Sequence, residues 1–439
     1  MARVSFRTEL LLTLERAFRE LVPEPPKRYP LTWKTAPYAY AYLLPLLFMA
    51  YLSQRRDTQI IRLLLLPTCL VMAIRGTYAY DWFEPDYYFF TWLRGLTGLA
   101  AAGLSVDFAF SQTARLKVGE TSLPAINEPE SLDDSEDVKK RRQNGIFPAW
   151  LSDAVEALST MRGIGWNFGK STYIPRERRP LERQAFLRET ARLFIKKFIL
   201  ADIFESLIKS ITGIGSTSGG SMFFSNYPVF KRYAVSTGIQ FLAGITLTNG
   251  VECLNLLLTI IGVGLLGQSP TEWPLILDQP FDSESLHDFW TQRWHQTLRR
   301  IFVVLGGIPG EYLYGRTGFI FGAFLASGLF HEGGTYLMGR GVDYRVVLFF
   351  VLQSLGVWME EFYRYVTGKR VGGIPGTLWT YFWIIGLGQM CMDAWFTRGL
   401  AGAIIIPPAI SPSRRIVFPA IRWVMRLVAV SFAMLLKAL

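Results

Sequence analysis

Histidine and cysteine are scarce in this chain, with three of each among 439 residues, and charge is scarce as well, at 18% of positions. Cys69, Cys253 and Cys391 each sit in an apolar run with no partner at motif spacing, which excludes a disulfide framework or thiolate metal site and reads as buried thiols. His287, His295 and His331 are spaced too widely for a two-histidine helical face, and Thr335 occupies the place where a zincin helix would carry its second histidine, so no metal site is expected. An uninterrupted apolar segment is missing at the N-terminus: Glu9, Glu15, Arg16 and Arg19 break it up, which predicts an amphipathic surface helix rather than a cleavable signal. There is no repeat of fixed period and no matched pair of Gly/Pro-interrupted helices in two halves, which weighs against inverted-repeat transporters.

What the chain does have is apolar length. Half of its residues are hydrophobic, 15% are aromatic, and the mean hydropathy is +0.24. A soluble domain would carry roughly 25% charged residues. The apolar residues gather into runs at 36–52, 59–74, 96–110, 233–248, 251–267, 318–338, 346–359, 379–396 and 416–436, several near the ~20 residues that a spanning helix needs. The pattern predicts an all-α polytopic membrane protein with eight to ten transmembrane helices, and with weaker stretches at 193–208 and 301–314 that are tilted, re-entrant or interfacial.

The net charge of +11 is concentrated between Arg115 and Lys197, in "KKRR" (139–142), "PRERR" (175–179) and neighbouring residues. By the positive-inside tendency the long loop 113–190 is expected in the cytosol. Acidic "EPESLDDSED" adjoins the basic block, so a solvated loop, disordered over 119–145, is the expectation and a nucleic-acid partner is not. Beyond it, "PAWLSDAVEALSTMRGIGWNFG" predicts a short helix capped at Ser152, and "TGIGSTSGGS" (212–221) predicts a flexible connector. The whole chain, 1–439, reads as one membrane domain.

Three motifs bear on chemistry. "GVGLLG" (262–267) matches G-x-G-x-x-G but lacks a βαβ setting, so small residues for close helix packing explain it better than dinucleotide binding. "HDFWTQRWHQTLRR" (287–300), if helical, lines up Asp288, Thr291, His295 and Arg299, with Trp290 and Trp294 on a neighbouring stripe. Its plain reading is an interfacial anchor helix. Yet it holds two of the three histidines, and its basic, aromatic face suits a phosphorylated ligand with a planar base. "ASGLFHEGG" (326–334) puts His331 and Glu332 inside an apolar helix. Ionisable residues there usually mark a substrate path, a proton relay or a catalytic centre. The His331 face carries Phe324, Ser327, Gly328, Gly334, Thr335 and Met338, small enough to leave room for a ligand, with Ser327 placed to orient the ring; Glu332 points elsewhere and is expected to orient a neighbouring helix. The alternative is a core histidine acting as polar glue between helices.

In "RGIGWN" (162–167), "FWTQRWHQTLR" (289–299) and "FLASGLFHE" (324–332), in that order, the chain resembles the wax-synthase-like branch of the membrane-bound O-acyltransferase superfamily, particularly its fungal members of the terpenoid or meroterpenoid O-acetyltransferase type. The resemblance implies helices around an intramembrane reaction chamber, and acyl transfer from acyl-CoA to a hydroxyl. The family's intramembrane histidine falls on His331. Its second polar position, commonly asparagine, falls on His295, which leaves that residue between a catalytic partner and one that orients the thioester. Acetyl-CoA as co-substrate, no tightly bound cofactor, a lipophilic alcohol acceptor in secondary metabolism, and residence in the endoplasmic reticulum membrane are what the resemblance implies. Trp290, Arg293, Trp294, Arg299 and Arg300 are the candidates for the nucleotide end of CoA, and Phe324, Ser327 and Thr335 for lining the substrate.

For the chemistry, a neutral imidazole would take the alcohol's proton as its oxygen attacks the thioester, while a ring N–H of His295 or a nearby amide would meet the oxyanion. The rivals are a long-chain wax-ester or sterol acyltransferase, a lipid-binding scaffold, and a transporter. Arg62 and Arg94, in or near spans, keep the last of these open.

Overall fold

Helices follow the apolar runs. The computed structural model describes residues 6–118 and 148–438, so the segment expected to be disordered, 119–145, lies outside the described residues. In chain order the longer helices are α1 (Phe6–Leu21), α2 (Leu43–Ser53), α3 (Gln59–Tyr78), α4 (Tyr88–Phe110), α5 (Ala149–Ser159), α6 (Arg183–Lys209), α7 (Val229–Thr259), α8 (Ile308–Tyr336), α9 (Tyr344–Thr367), α10 (Gly388–Thr397) and α11 (Phe418–Ala438). A two-residue parallel ladder, Tyr29–Pro30 with Tyr80–Asp81, is the one sheet among the described residues. Six helical runs there are long and apolar enough to cross a membrane: Ala36–Ser53, Gln59–Tyr78, Pro85–Phe110, Val229–Leu265, Arg299–Tyr336 and Tyr344–Thr367.

By contact the chain divides into two compact units. The first comprises Met1–Glu84, Phe90–Ile174 and Pro280–Thr380. In it α3 and α4 exchange arginines. Arg62 of α3 donates to the carbonyls of Phe108 and Ser111 at the end of α4, and Arg94 of α4 donates to those of Thr77 and Tyr80 at the end of α3. The last carbonyls of a helix have no partner within it, so each guanidinium satisfies groups that lipid could not. Both charges that left a transporter open therefore have a structural use.

Glycine governs how closely these helices meet. A Cβ on Gly95 of α4 would lie 2.9 Å from the backbone of Gly334 in α8, and one on Gly328 would lie 3.0 Å from Val347 in α9. The small residues around His331 therefore admit neighbouring helices rather than open space, which corrects the expectation of room on both flanks. The run Arg299–Tyr336 is itself a hairpin: Gly315 at φ +58 reverses the chain, and its two limbs press Gly306 against Gly322 and Gly310 against Gly318. Only glycine enters that left-handed turn without strain. The stretch 301–314 is the shorter limb, in keeping with its weak apolar signal. α9 begins at Asp343, whose carboxylate accepts from Arg345 N at 3.0 Å, and ends at Gly368 in the left-handed conformation.

The second unit comprises Pro85–Phe89, Pro175–Gln279 and Tyr381–Leu439. The runs 233–248 and 251–267 expected as separate spans form one helix, α7, which continues to Leu265. Asn249 does not break it because its amide donates to Ile245 O at 2.7 Å, one turn back. "TGIGSTSGGS" is a packed turn rather than a loose connector: Ile214 and Met222 are fully buried, and Gly219 abuts the Thr397 carbonyl. In "GVGLLG", Gly262 lies against the Trp273 ring, the packing role expected of it. Back in the first unit, α5 starts after Pro148, so Ser152 is inside the helix rather than its cap.

Candidate active site

His331 lies near the C-terminal end of α8, partly buried among aromatic rings. Its imidazole stacks on Phe350 of α9 with centroids 4.7 Å apart and planes 4° from parallel. Phe330 stands edge-on at 5.6 Å and Phe302 is tilted at 6.5 Å. One turn on, the hydroxyl of Thr335 donates to the His331 carbonyl at 2.9 Å. Ser327 and Thr335 are both buried, and Phe324 meets Trp290 edge-on at 5.6 Å. Glu332 turns away from the imidazole: its carboxylate accepts from Asp343 N at 2.8 Å and so holds the start of α9.

The second histidine-bearing stretch is not one continuous helix. Ser285 caps a short helical turn, Leu286–Asp288, followed by a wider turn, Phe289–Arg293. At Trp294 the backbone becomes extended, with ψ 152, and a helix resumes only at Arg299. The break persists because Gln296 supplies what the helix would have supplied. Its side-chain amide donates to Trp290 O at 3.0 Å and Trp294 O at 2.8 Å. A buried carbonyl without a donor would cost about 1–3 kcal/mol. His295 consequently leaves the stripe with Asp288, Thr291 and Arg299. Trp294 stacks on Phe289 at 5.6 Å and 15°, with the His295 ring 5.1 Å from its own.

The three motif stretches come within electrostatic range of one another here. His331 is within electrostatic range of His295, and His295 of Arg162. Burial, reinforced by the Arg162 charge, pushes His295 down to about 4, so that ring is neutral at physiological pH. Its Nδ1 is buried without a hydrogen-bond partner among the described residues. Burial also pushes the Arg162 guanidinium down to about 10.

The expected site residues are thus partly assembled. His331, His295, Trp290, Trp294, Phe324, Ser327 and Thr335 belong to one neighbourhood or its immediate helix faces. Arg293 is paired with Asp288 at 2.5 Å. Arg300 grips Asp107 through two bonds of 2.7 and 2.8 Å, and Arg115 shares that carboxylate. Arg299 is partly buried at the start of its helix. Sequence reasoning did not single out Arg162, Phe350 or Gln353 as site residues. Arg162 opens "RGIGWN" and could have been found there; Phe350 and Gln353 are ordinary members of an apolar helix and carried no signal.

Comparison with known proteins gives a family match over part of the chain. The profile described as "Membrane bound O-acyl transferase family" matches residues 273–352, the stretch that carries both histidines and Phe350. The chain is 25% identical over 239 residues to the O-mevalon transferase yanI of Aspergillus niger, covering 48% of this chain and 52% of that protein. It is 24% identical over 274 residues to the acetyltransferase ple2 of Rhodocybe pseudopiperita, covering 58% and 67%, and 25% identical over 248 residues to the acetyltransferase sirH of Emericella nidulans, covering 53% and 56%. The matches therefore span about half to two thirds of the length of these relatives. No solved structure matches.

Proposed function

We propose that this chain, matched by the membrane-bound O-acyl transferase profile over residues 273–352, is an O-acyltransferase of that family that moves an acetyl group from acetyl-CoA to a hydroxyl of a lipophilic terpenoid or meroterpenoid, within the endoplasmic reticulum membrane, in secondary metabolism. The observation that carries this reading is that His295 lies within electrostatic range of both Arg162 and His331, from three separate stretches. Relatives named acetyltransferase and O-mevalon transferase support transfer of a small acyl group to oxygen.

The chemistry follows from the residues. His331 takes the hydroxyl proton as the alcohol oxygen attacks the thioester carbonyl. The oxyanion that forms is met by the ring N–H of His295, a donor fixed in place before the reaction. When the tetrahedral intermediate collapses, the C–S bond breaks, and the CoA thiolate leaves with the proton returned from His331. Arg299 and Arg162 supply positive charge, and Trp290 and Trp294 aromatic surface, for the phosphates and base of CoA. Arg293 and Arg300 act through their carboxylate partners in holding the segment. Six runs among the described residues are long and apolar enough to cross a membrane; the reading of eight to ten passes further counts both hairpin limbs and the helices ending at Thr397 and Ala438.

Microsomes bearing the protein, given labelled acetyl-CoA and terpenoid alcohols, should yield labelled organic-phase esters that unlabelled acetyl-CoA suppresses and palmitoyl-CoA does not. Suppression by palmitoyl-CoA at equal concentration would instead mark a long-chain wax-ester or sterol enzyme.

A further inference from the structure

One face of α9 touches the candidate site at three levels. Phe350 lies flat against His331. One turn on, the fully buried Gln353 accepts a hydrogen bond from Trp290 Nε1 at 3.3 Å, and its own amide nitrogen is tied to Phe349 O at 3.1 Å. Two turns further, the buried carboxylate of Glu360 accepts from the backbone N–H groups of Leu286 and His287, at 2.6 and 3.0 Å. Residues 353 and 360 are seven apart, two helical turns, so they share this face with Phe350.

These contacts have a consequence for His295. The segment 286–296 is not a regular helix, so its own backbone cannot fix where His295 sits relative to His331. Glu360 pins the start of the segment, Gln353 pins its middle through Trp290, and Gln296 braces the break at Trp294. Because Phe350, Gln353 and Glu360 belong to one rigid helix, the imidazole of His331 and the segment carrying His295 are referred to a common ruler.

We propose that Gln353 and Glu360 are positioning residues that set His295 against His331. This rests on the acyl-transfer reading for its purpose, though the geometry can be tested without it. Buried polar side chains with no part in the chemistry are costly at membrane depth, and a satisfied polar contact is a means of fixing one arrangement among several. Their effect should therefore fall on the orientation of His295 more than on global stability.

The chain's three histidines provide the test. Purified full-length protein in detergent would be treated with diethyl pyrocarbonate, and modification of each histidine followed by mass spectrometry. The exposed His287 serves as internal reference. The variants are Gln353→Met, which keeps volume but removes the acceptor, Glu360→Gln, which leaves one of the two backbone N–H groups without an acceptor, and Leu355→Ala on the exposed face of the same helix. His295 should react slowly in the wild type and in Leu355→Ala, and roughly tenfold faster in the other two, the change expected when one buried hydrogen bond is lost. Melting temperatures measured alongside should show Gln353→Met no less stable than Leu355→Ala. Unchanged His295 reactivity in both variants would overturn the proposal, as would equal acceleration in Leu355→Ala. Acetyl transfer in the same preparations separates the two claims: absence of transfer in the wild type counts against the acyl-transfer reading alone, whereas full transfer at wild-type kcat in Gln353→Met counts against positioning alone.

Discussion

The imidazole of His331 and the ring of Phe350 lie face to face, 4.7 Å between centroids and 4° from parallel, one on α8 and the other on α9. A flat support of this kind leaves the imidazole edge, where both nitrogens lie, directed away from the stacked ring. It fixes the plane in which a proton can be exchanged.

Replacing Phe350 with leucine keeps apolar bulk and removes that plane. The expected result is a fall in kcat of roughly ten- to a hundredfold, the scale of a reacting group displaced by a fraction of an ångström to one ångström. KM for acetyl-CoA should change little. Steady-state kinetics on microsomes with matched protein levels would check both.

Glu332 has a different task from its neighbour. Its carboxylate holds the backbone N–H of Asp343 at the start of α9. Glu332→Ala should lower stability by about 1–3 kcal/mol, the cost of leaving a buried donor unsatisfied. The melting temperature in detergent should fall, and protein that remains folded should retain activity, in contrast to His331→Ala.

Stability should respond to pH through His295. Its folded pKa, about 4, lies below the ordinary 6.5, so the unfolded chain binds the extra proton first as pH falls. The contribution is fully present above about pH 6.5 and is lost progressively as pH drops towards 4. Thermal melts from pH 8 to 4 should show this decline, and His295→Gln should flatten it relative to wild type.

The arginines at the end of the motif should separate by function. Arg299→Gln is expected to raise KM for acetyl-CoA several-fold, since it removes a partly buried positive charge that has no carboxylate partner among the described residues. Arg300→Gln, whose side chain is one-third exposed and paired with Asp107, should cost under about 1 kcal/mol of stability and leave KM nearly unchanged. Asp107→Asn should be more damaging, at about 3 kcal/mol or more, because it strands the buried Arg115. Melting curves and donor titrations distinguish the three.

Helix existence was legible in the sequence because lipid demands long apolar runs, and the runs at 59–74, 96–110 and 346–359 fall inside α3, α4 and α9. What could not be read was where helices continue, break or close on one another. Asn249 and Gly250 looked like a boundary and are internal to α7, since one side-chain bond satisfies the turn. "HDFWTQRWHQTLRR" had the composition of a helix and is broken at Trp294, because a single amide, Gln296, replaces the missing ladder bonds. Glycines beside His331 looked like space for a ligand and are close approaches of α4 and α9. Among the candidate site residues, His331 and His295 stood out by residue type, and the outward turn of Glu332 followed from helical spacing, whereas the stripe expected to carry His295 did not form. Phe350 and Gln353 were not, because an aromatic or an amide on an apolar helix acquires meaning only from what lies across from it.

Whether His331 moves a proton during acyl transfer is decided by one comparison. Microsomes with equal amounts of wild type or His331→Ala would receive labelled acetyl-CoA and an extract of terpenoid alcohols, and label would be followed into organic-phase esters. Esters are expected from the wild type and none above background from the variant. Equal labelling by both would show that the histidine only packs between helices, and the assignment of the site would be wrong.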